Sequence, residues 1–142
     1  MIHIVVSGAP MGKERVRFQR ATGRAYTPER TLNYEARMAA AGQAVMAGRP
    51  LLDGPVRLDV MAFVSIPQSK PKRWKAAALR GDIRPTSKPD GDNMLKAISD
   101  GLNLVVWTDD SQIVDARVRK FYSDQPRVEI IVQPEPTDGI FA

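Results

Sequence analysis

Four stretches of the chain carry the apolar spacing of strands. Ile2 to Ser7 is a short, nearly continuous apolar run of the buried kind. Val56 to Ile66 begins by alternating and then turns continuously apolar until Pro67 ends it. Ile113 to Tyr122 alternates, and Arg127 to Val132 follows after the turn-rich Ser123-Asp124-Gln125-Pro126, so these two are expected to pair as an antiparallel hairpin. Three stretches read as helices. The first starts at Thr27-Pro28, with the threonine hydroxyl as N-cap and the proline in the first helical position, and runs to about Ala47, where Gly48 and Pro50 stop it. Leu32, Ala36, Ala39, Ala40 and Val45 are expected to form its apolar face. Pro71 to Leu79 suits a short helix and Asn93 to Leu102 a central one. Residues 8–26 and 81–88 read as loops, and the tail at 134–142 is expected to fray. No repeat and no boundary divides the 142 residues, so strands and helices mix in a single domain, long enough to bury a core without disulfides or structural metal.

Composition narrows the chemistry. There is no cysteine, which excludes a disulfide scaffold, a cysteine-ligated zinc site and a cysteine nucleophile. The one histidine, His3, sits in the first strand and reads as a strand-edge residue, so neither a histidine-rich metal site nor a Ser-His-Asp triad is available. No apolar run is long enough to span a bilayer and no signal-peptide pattern is present, so a cytoplasmic protein with no membrane partner is expected.

Lysine and arginine number 21 against 16 acids, a net charge of +5, which suits an anionic partner such as nucleic acid. Five of those acids, Asp90, Asp92, Asp100, Asp109 and Asp110, fall within one short segment, so the rest of the surface is more basic than the total suggests. Two basic patches stand out. The long loop 8–26 carries Lys13, Arg15, Arg17, Arg20 and Arg24 interleaved with Phe18 and Tyr26, a mixture common on nucleic-acid contact surfaces. The plainer reading is a solvated loop with two aromatics tucked into the core. The second patch sets Lys70, Lys72, Arg73 and Lys75 around Trp74, whose plainer role is to anchor a short helix to the core.

The acidic cluster also has a plain reading. Pro-Asp-Gly-Asp-Asn at 89–93 is good turn chemistry, and an acid there caps the following helix. Three features favour chemistry. Asp92, Lys96 and Asp100 are spaced four apart on one helical face, where the alternative is an exposed ladder worth tenths of a kcal/mol, ~0.2–0.5 per pair. Asp109 and Asp110 stand at the entry to a strand that is expected to return, antiparallel, beside the start of the same helix. Clustered carboxylates raise one another's pKa unless a cation intervenes, and with neither cysteine nor a second histidine they are the strong ligands this chain has. The chemistry that fits is metal-assisted phosphodiester hydrolysis, with one or two Mg²⁺ held by Asp90, Asp92 and Asp110.

At these residues the sequence resembles the RusA family of Holliday junction resolvases, crossover junction endodeoxyribonucleases of phages and prophages. The match lies in Lys88-Pro-Asp-Gly-Asp-Asn-Met-Leu-Lys96, then Asp100-Gly-Leu-Asn103, then Trp107-Thr-Asp-Asp-Ser-Gln-Ile113, and covers roughly Lys88 to Arg119. Gly12-Lys-Glu-Arg15 with Tyr26-Thr-Pro28 is similar to phage-type members, less specifically. The resemblance implies Asp90, Asp92 and Asp110 as catalytic Mg²⁺ ligands, with Mn²⁺ a substitute, Lys96 as the functional lysine, and Asp109 and Asp100 as acids of less defined role. It implies a small mixed sheet flanked by helices, a homodimer acting on four-way junction DNA in recombination and repair, and no nucleotide cofactor. Where the family commonly has a glycine, this chain has Asn103-Leu-Val-Val-Trp107. The expected DNA contacts, read from charge, are Lys13, Arg15 and Arg17 in the first patch, Lys70, Lys72 and Arg73 in the second, and Lys88 at the motif. The competing functions are a Mg²⁺ nuclease for other branched DNA and a non-catalytic basic DNA-binding protein whose acids cap helices.

Overall fold

A computed structural model of the chain describes residues 1–136. In chain order the elements are β1 (Ile2–Ser7), β2 (Arg17–Phe18), β3 (Ala25–Tyr26), α1 (Glu29–Met46), β4 (Val56–Ser65), α2 (Lys72–Leu79), α3 (Gly91–Leu102), a 3-10 turn at Asp110–Gln112, β5 (Ile113–Ser123) and β6 (Arg127–Pro134). The expected strands and helices are all present. β1, β6, β4 and β5 lie side by side in that order in a mixed sheet, and β2 and β3 form a separate two-stranded ribbon. The fold is α+β. No helix among the described residues is long and apolar enough to cross a membrane.

The expected hairpin between the last two strands does not form. β6 pairs antiparallel with β1 on one side and β4 on the other, while β5 pairs parallel with β4. β4 therefore stands between the two sequence neighbours. Its inward positions Val56, Leu58, Val60 and Ala62 are all buried, which suits a strand paired on both sides. The first half of β5, residues 114–117, is exposed and charged, the character of a sheet edge.

The helices α1 and α3 cover one face of the sheet. The core joins Ile4, Leu58, Ile130 and their strand neighbours to Tyr34 and Met38 of α1, Ile98 and Leu102 of α3, and Trp107 beyond it. The apolar face expected for α1 was misplaced. The buried positions are Thr31, Tyr34, Met38, Gly42 and Met46, while Leu32 is half exposed. The reason is glycine. A Cβ added at Gly42 would lie 2.8 Å from Leu102 Cδ2, and one at Gly101 would lie 2.9 Å from Met38 Cβ, so the two helices meet through residues that a hydrophobicity pattern does not register. Thr27 does not cap α1 either. Pro28 occupies the N-cap position and no side-chain cap hydrogen bond is made.

Two segments read as unstructured are held. Within 8–26, Arg17 pairs with Tyr26 and Phe18 with Ala25 in the ribbon. At the other end, Pro134 closes β6, the Glu135 amide donates to the Pro55 carbonyl, and the Glu135 carboxylate pairs with Arg57 at 3.3 Å. The tail thus does not fray from 134; residues 137–142 lie outside the described residues. In the return loop after α3, Leu104 has φ +62°, a left-handed conformation that costs a β-carbon-bearing residue and that glycine adopts freely. This is the segment in which the related family commonly has glycine.

The α1–α3 contact gives a direct test. Gly101→Ala should lower stability by about 1–3 kcal/mol in chemical denaturation, because Met38 Cβ is fixed to its backbone and the helices must separate, an overpacking cost that exceeds the helix-propensity gain. An unchanged or higher midpoint would show that the helices are free to shift.

Candidate active site

The motif that begins at Lys88 folds as the entry to α3. Asp90 is the N-cap. Its carboxylate accepts hydrogen bonds from the Asn93 amide at 2.8 Å and from Asn93 Nδ2 at 3.3 Å, satisfying donors that the first turn leaves unpaired. The loop before it is tied to β5. Arg84 Nε donates to the Lys120 carbonyl, Lys120 Nζ donates to the Ser87 carbonyl, each at 2.5 Å, and the Arg84 guanidinium lies 4.0 Å from the Phe121 ring centroid. Asp92, one residue into the helix, is exposed and pairs with Lys96 at 3.5 Å. Both partners are more than half exposed, so this pair contributes little to stability, and their shared face is open to a ligand.

Lys13 has a role that its charge alone did not reveal. Its amide donates to the Asn93 carbonyl at 2.9 Å, and its ammonium pairs with Glu35 of α1 at 2.5 Å and with Asp100 of α3 at 3.0 Å. Burial alone would lower this lysine, but the hydrogen bonds to Glu35 and Asp100 outweigh it and hold the pKa above the ordinary value. Two expectations change. Lys13 is engaged by two carboxylates and is a brace, where a DNA contact was expected. Asp100 pairs with it, so the ladder from Asp92 through Lys96 does not continue to Asp100.

Beside this brace lies an open cavity of about 400 Å³ whose walls include Gly12, Lys13, Glu14, Arg30, Lys88, Asp90 and Asn93. Gly12 is required here, since a Cβ on it would stand 3.0 Å from Asn93 Cβ. Glu14 is also anchored, its carboxylate accepting from the Thr31 hydroxyl at 3.3 Å. Sequence reasoning missed Glu14, Arg30, Thr31 and Glu35. No local spacing links them to the motif, because they arrive from the first loop and from α1.

Asp109 and Asp110 are elsewhere. Gly91, at the start of α3, lies against Val118 of β5, whereas Trp107 bridges to Asn103 just past the end of α3 and to Leu52. The strand returns antiparallel to the helix as expected, but it begins at the far end. Asp110, ahead of Ile113, is therefore roughly 17 Å or more along the strand from Val118. Among the described residues, no three acids stand close enough to hold one ion. The structure brings Asp90, Asp92 and Lys96 together with the cavity and does not bring Asp110 to them. Asp109 caps the 3-10 turn. The Ser111 hydroxyl and amide hold its carboxyl below the usual range, and Gln112 closes a reciprocal capping box. Gln112 also receives the Thr108 amide and donates to the Leu52 and Gly54 carbonyls, so it fastens this turn to the entry of β4.

The basic patches differ from each other. Arg15, Arg17, Arg20 and Arg24 are exposed, and Phe18 and Tyr26 stand out in solvent at 71% and 48% exposure, not tucked into the core. In the second patch, Trp74 packs edge-on against Tyr122 with centroids 5.3 Å apart, the anchoring role, while Lys70 lies 5.0 Å over its ring and Lys72 and Arg73 stay exposed.

With this geometry in place, comparison with known proteins is informative. The sequence profile described as Endodeoxyribonuclease RusA matches residues 7–133. A Bacillus subtilis (strain 168) protein, "Uncharacterized protein YqaN", is 45% identical over 85 residues, covering 58% of this chain and 60% of that protein. "Crossover junction endodeoxyribonuclease rusA" of Lactococcus phage r1t is 36% identical over 78 residues, covering 54% and 52%. The aligned segments thus span little more than half the length of these curated relatives.

Lys13→Met should lower stability by about 1.5–3 kcal/mol, the worth of hydrogen bonds to charged groups, and Lys13→Arg should restore part of it. The pH dependence has a definite sign. Because the folded pKa is raised, the contribution is fully present below the unfolded value near 10.5 and is lost as pH climbs past it. Melting curves of wild type and Lys13→Met should therefore differ most below pH 10 and converge above about pH 11; a constant gap would refute the ion pairs as its source.

Proposed function

The chain belongs to the RusA endodeoxyribonuclease family, and from that premise we propose that it is a Mg²⁺-dependent, structure-specific endonuclease that resolves Holliday junctions. It would work in the cytoplasm as a homodimer, since paired symmetric nicks call for two equivalent sites and a two-fold dimer supplies them. The observation that carries this reading is the placement of the Lys88–Lys96 motif. It puts Asp90, Asp92 and Lys96 on the first turns of α3, at the rim of a cavity bordered by Arg30 and Lys88.

The donor set fits a hard cation. Asp90 and Asp92 offer only oxygen, and Mg²⁺ is typically held by one or two carboxylates with water and substrate phosphate completing the shell. Bound there, the ion would supply charge neutralisation and an activated water. Asp110 lies at the other end of α3 and is left out of the site within one chain. The chain's own groups have distinct tasks. Asp90 fixes the first turn of α3 while its charge faces the cavity. Lys96 sets an ammonium beside Asp92, where negative charge develops on the leaving oxygen. Lys88 and Arg30 attract the DNA backbone to the cavity mouth.

Asp92→Asn should abolish Mg²⁺-dependent nicking of a synthetic four-way junction while binding, measured without metal, is retained. Asp90→Asn should do the same without unfolding the protein, since asparagine caps as well as aspartate. Equal cutting rates for Asp92→Asn and wild type would defeat the metal-site assignment. If wild type cuts no DNA with Mg²⁺, the chain is a binding protein. Competition among junction, flap, duplex and single-stranded DNA separates a resolvase from other branched-DNA nucleases. Lys96→Ala should slow cleavage by at least tenfold and weaken binding much less; equal losses would make Lys96 a phosphate clamp.

A further inference from the structure

The ribbon of β2 and β3 is the most exposed ordered part of the chain, with every residue from Arg15 to Tyr26 exposed. Its two faces differ. In the register Arg17 opposite Tyr26 and Phe18 opposite Ala25, one face carries Arg17 and Tyr26, and Gln19 and Arg24 extend it through the hydrogen bond from the Gln19 amide to the Arg24 carbonyl. Gln19, Arg24, Ala25 and Tyr26 border an open recess. The other face presents Phe18 and Ala25, with Val16 two residues before, and Phe18 and Val16 are 71% and 50% exposed. A folded protein gains nothing by holding an apolar ribbon face in water, so a ligand with an apolar, flat surface is implied.

The root of the ribbon is rigid. Lys13 is braced to Asn93, Glu35 and Asp100, and Glu14 to Thr31. Only Arg15 and Val16 separate that anchor from β2, so the ribbon stands at a fixed distance from Asp90. Its occupant must be polyanionic, to match four arginines, and must offer exposed π surface. Intact duplex DNA has the first property and hides the second; a branch point has both.

Resting on the function proposed above, we propose that Phe18 is a specificity residue that stacks on an unpaired or unstacked base at the branch point, while Arg17 and Arg24 on the opposite face hold the adjoining backbone. The ribbon reads the branch and the brace at Lys13 sets where the cut falls relative to it.

The test uses metal-free binding of a four-way junction carrying 2-aminopurine at the branch, beside a linear duplex of the same sequence. Wild type should change the probe's fluorescence and prefer the junction. Phe18→Ala, at an exposed position and checked by circular dichroism, should lose the fluorescence change and about tenfold of junction affinity while duplex affinity stays unchanged. Phe18→Trp should restore both. Arg24→Gln should weaken junction and duplex alike and reduce the salt dependence by about one phosphate contact. If wild type cuts junctions yet Phe18→Ala leaves the probe signal and the preference intact, stacking is overturned and the nuclease reading stands. A Phe18→Ala protein that falls from dimer to monomer in light scattering assigns the apolar face to a second copy of the chain and also overturns it. A wild type that neither prefers nor cuts branched DNA removes the functional reading and this inference with it.

Discussion

The Lys13 ammonium is where three distant parts of the chain are joined. It leaves the loop after β1, reaches Glu35 on α1 and Asp100 on α3, and its own amide closes on the Asn93 carbonyl. Half-buried charges of this kind are stable only in one another's company, because removing either sign leaves the other desolvated and unpaired. The start of α3, the Asp90 cap and the root of the exposed ribbon therefore share one frame. α1 can serve that frame only because it sits unusually close to α3, and it sits close because Gly42 and Gly101 remove the atoms that would keep the helices apart.

This arrangement divides a motif that looks uniform in one dimension. Asp90 and Asp109 both cap a helical turn, but only Asp90 opens on the cavity. Gln112 recurs in the family motif for a structural reason: it satisfies two amides and two carbonyls at the junction between the return loop and β4. The carboxylates nearest the proposed chemistry are the pair at the start of α3, beside Lys96, and the acids near the 3-10 turn support the scaffold at its other end.

The ribbon and the cavity supply different kinds of recognition. Backbone attraction at the cavity is electrostatic and indifferent to branching. Discrimination needs a group that rewards exposed base surface, and an aromatic on a rigid, solvent-projecting arm has that property. A freely moving loop would lose more entropy on ordering and would not hold a constant distance to the site.

Much of this was legible in the sequence. Period-two and helical spacing located the strands and helices, Pro67 and Gly48 marked ends, and the acids between Asp90 and Asp110 drew attention to the right helix, because these signals are local and the backbone obeys them locally. The pairing of β4 with both β5 and β6 was not legible, since strand order depends on which strand is buried on both sides. The face of α1 was misread because its contacts run through glycine and threonine. The partners of Lys13 and Asp100 and the distance of Asp110 from Asp90 were decided by how helices and sheet pack, and packing joins residues that no sequence spacing connects. The sequence by itself determined which residues can do chemistry; the tertiary structure decided which of them stand together, because charges act over a few ångströms of space and not along the chain.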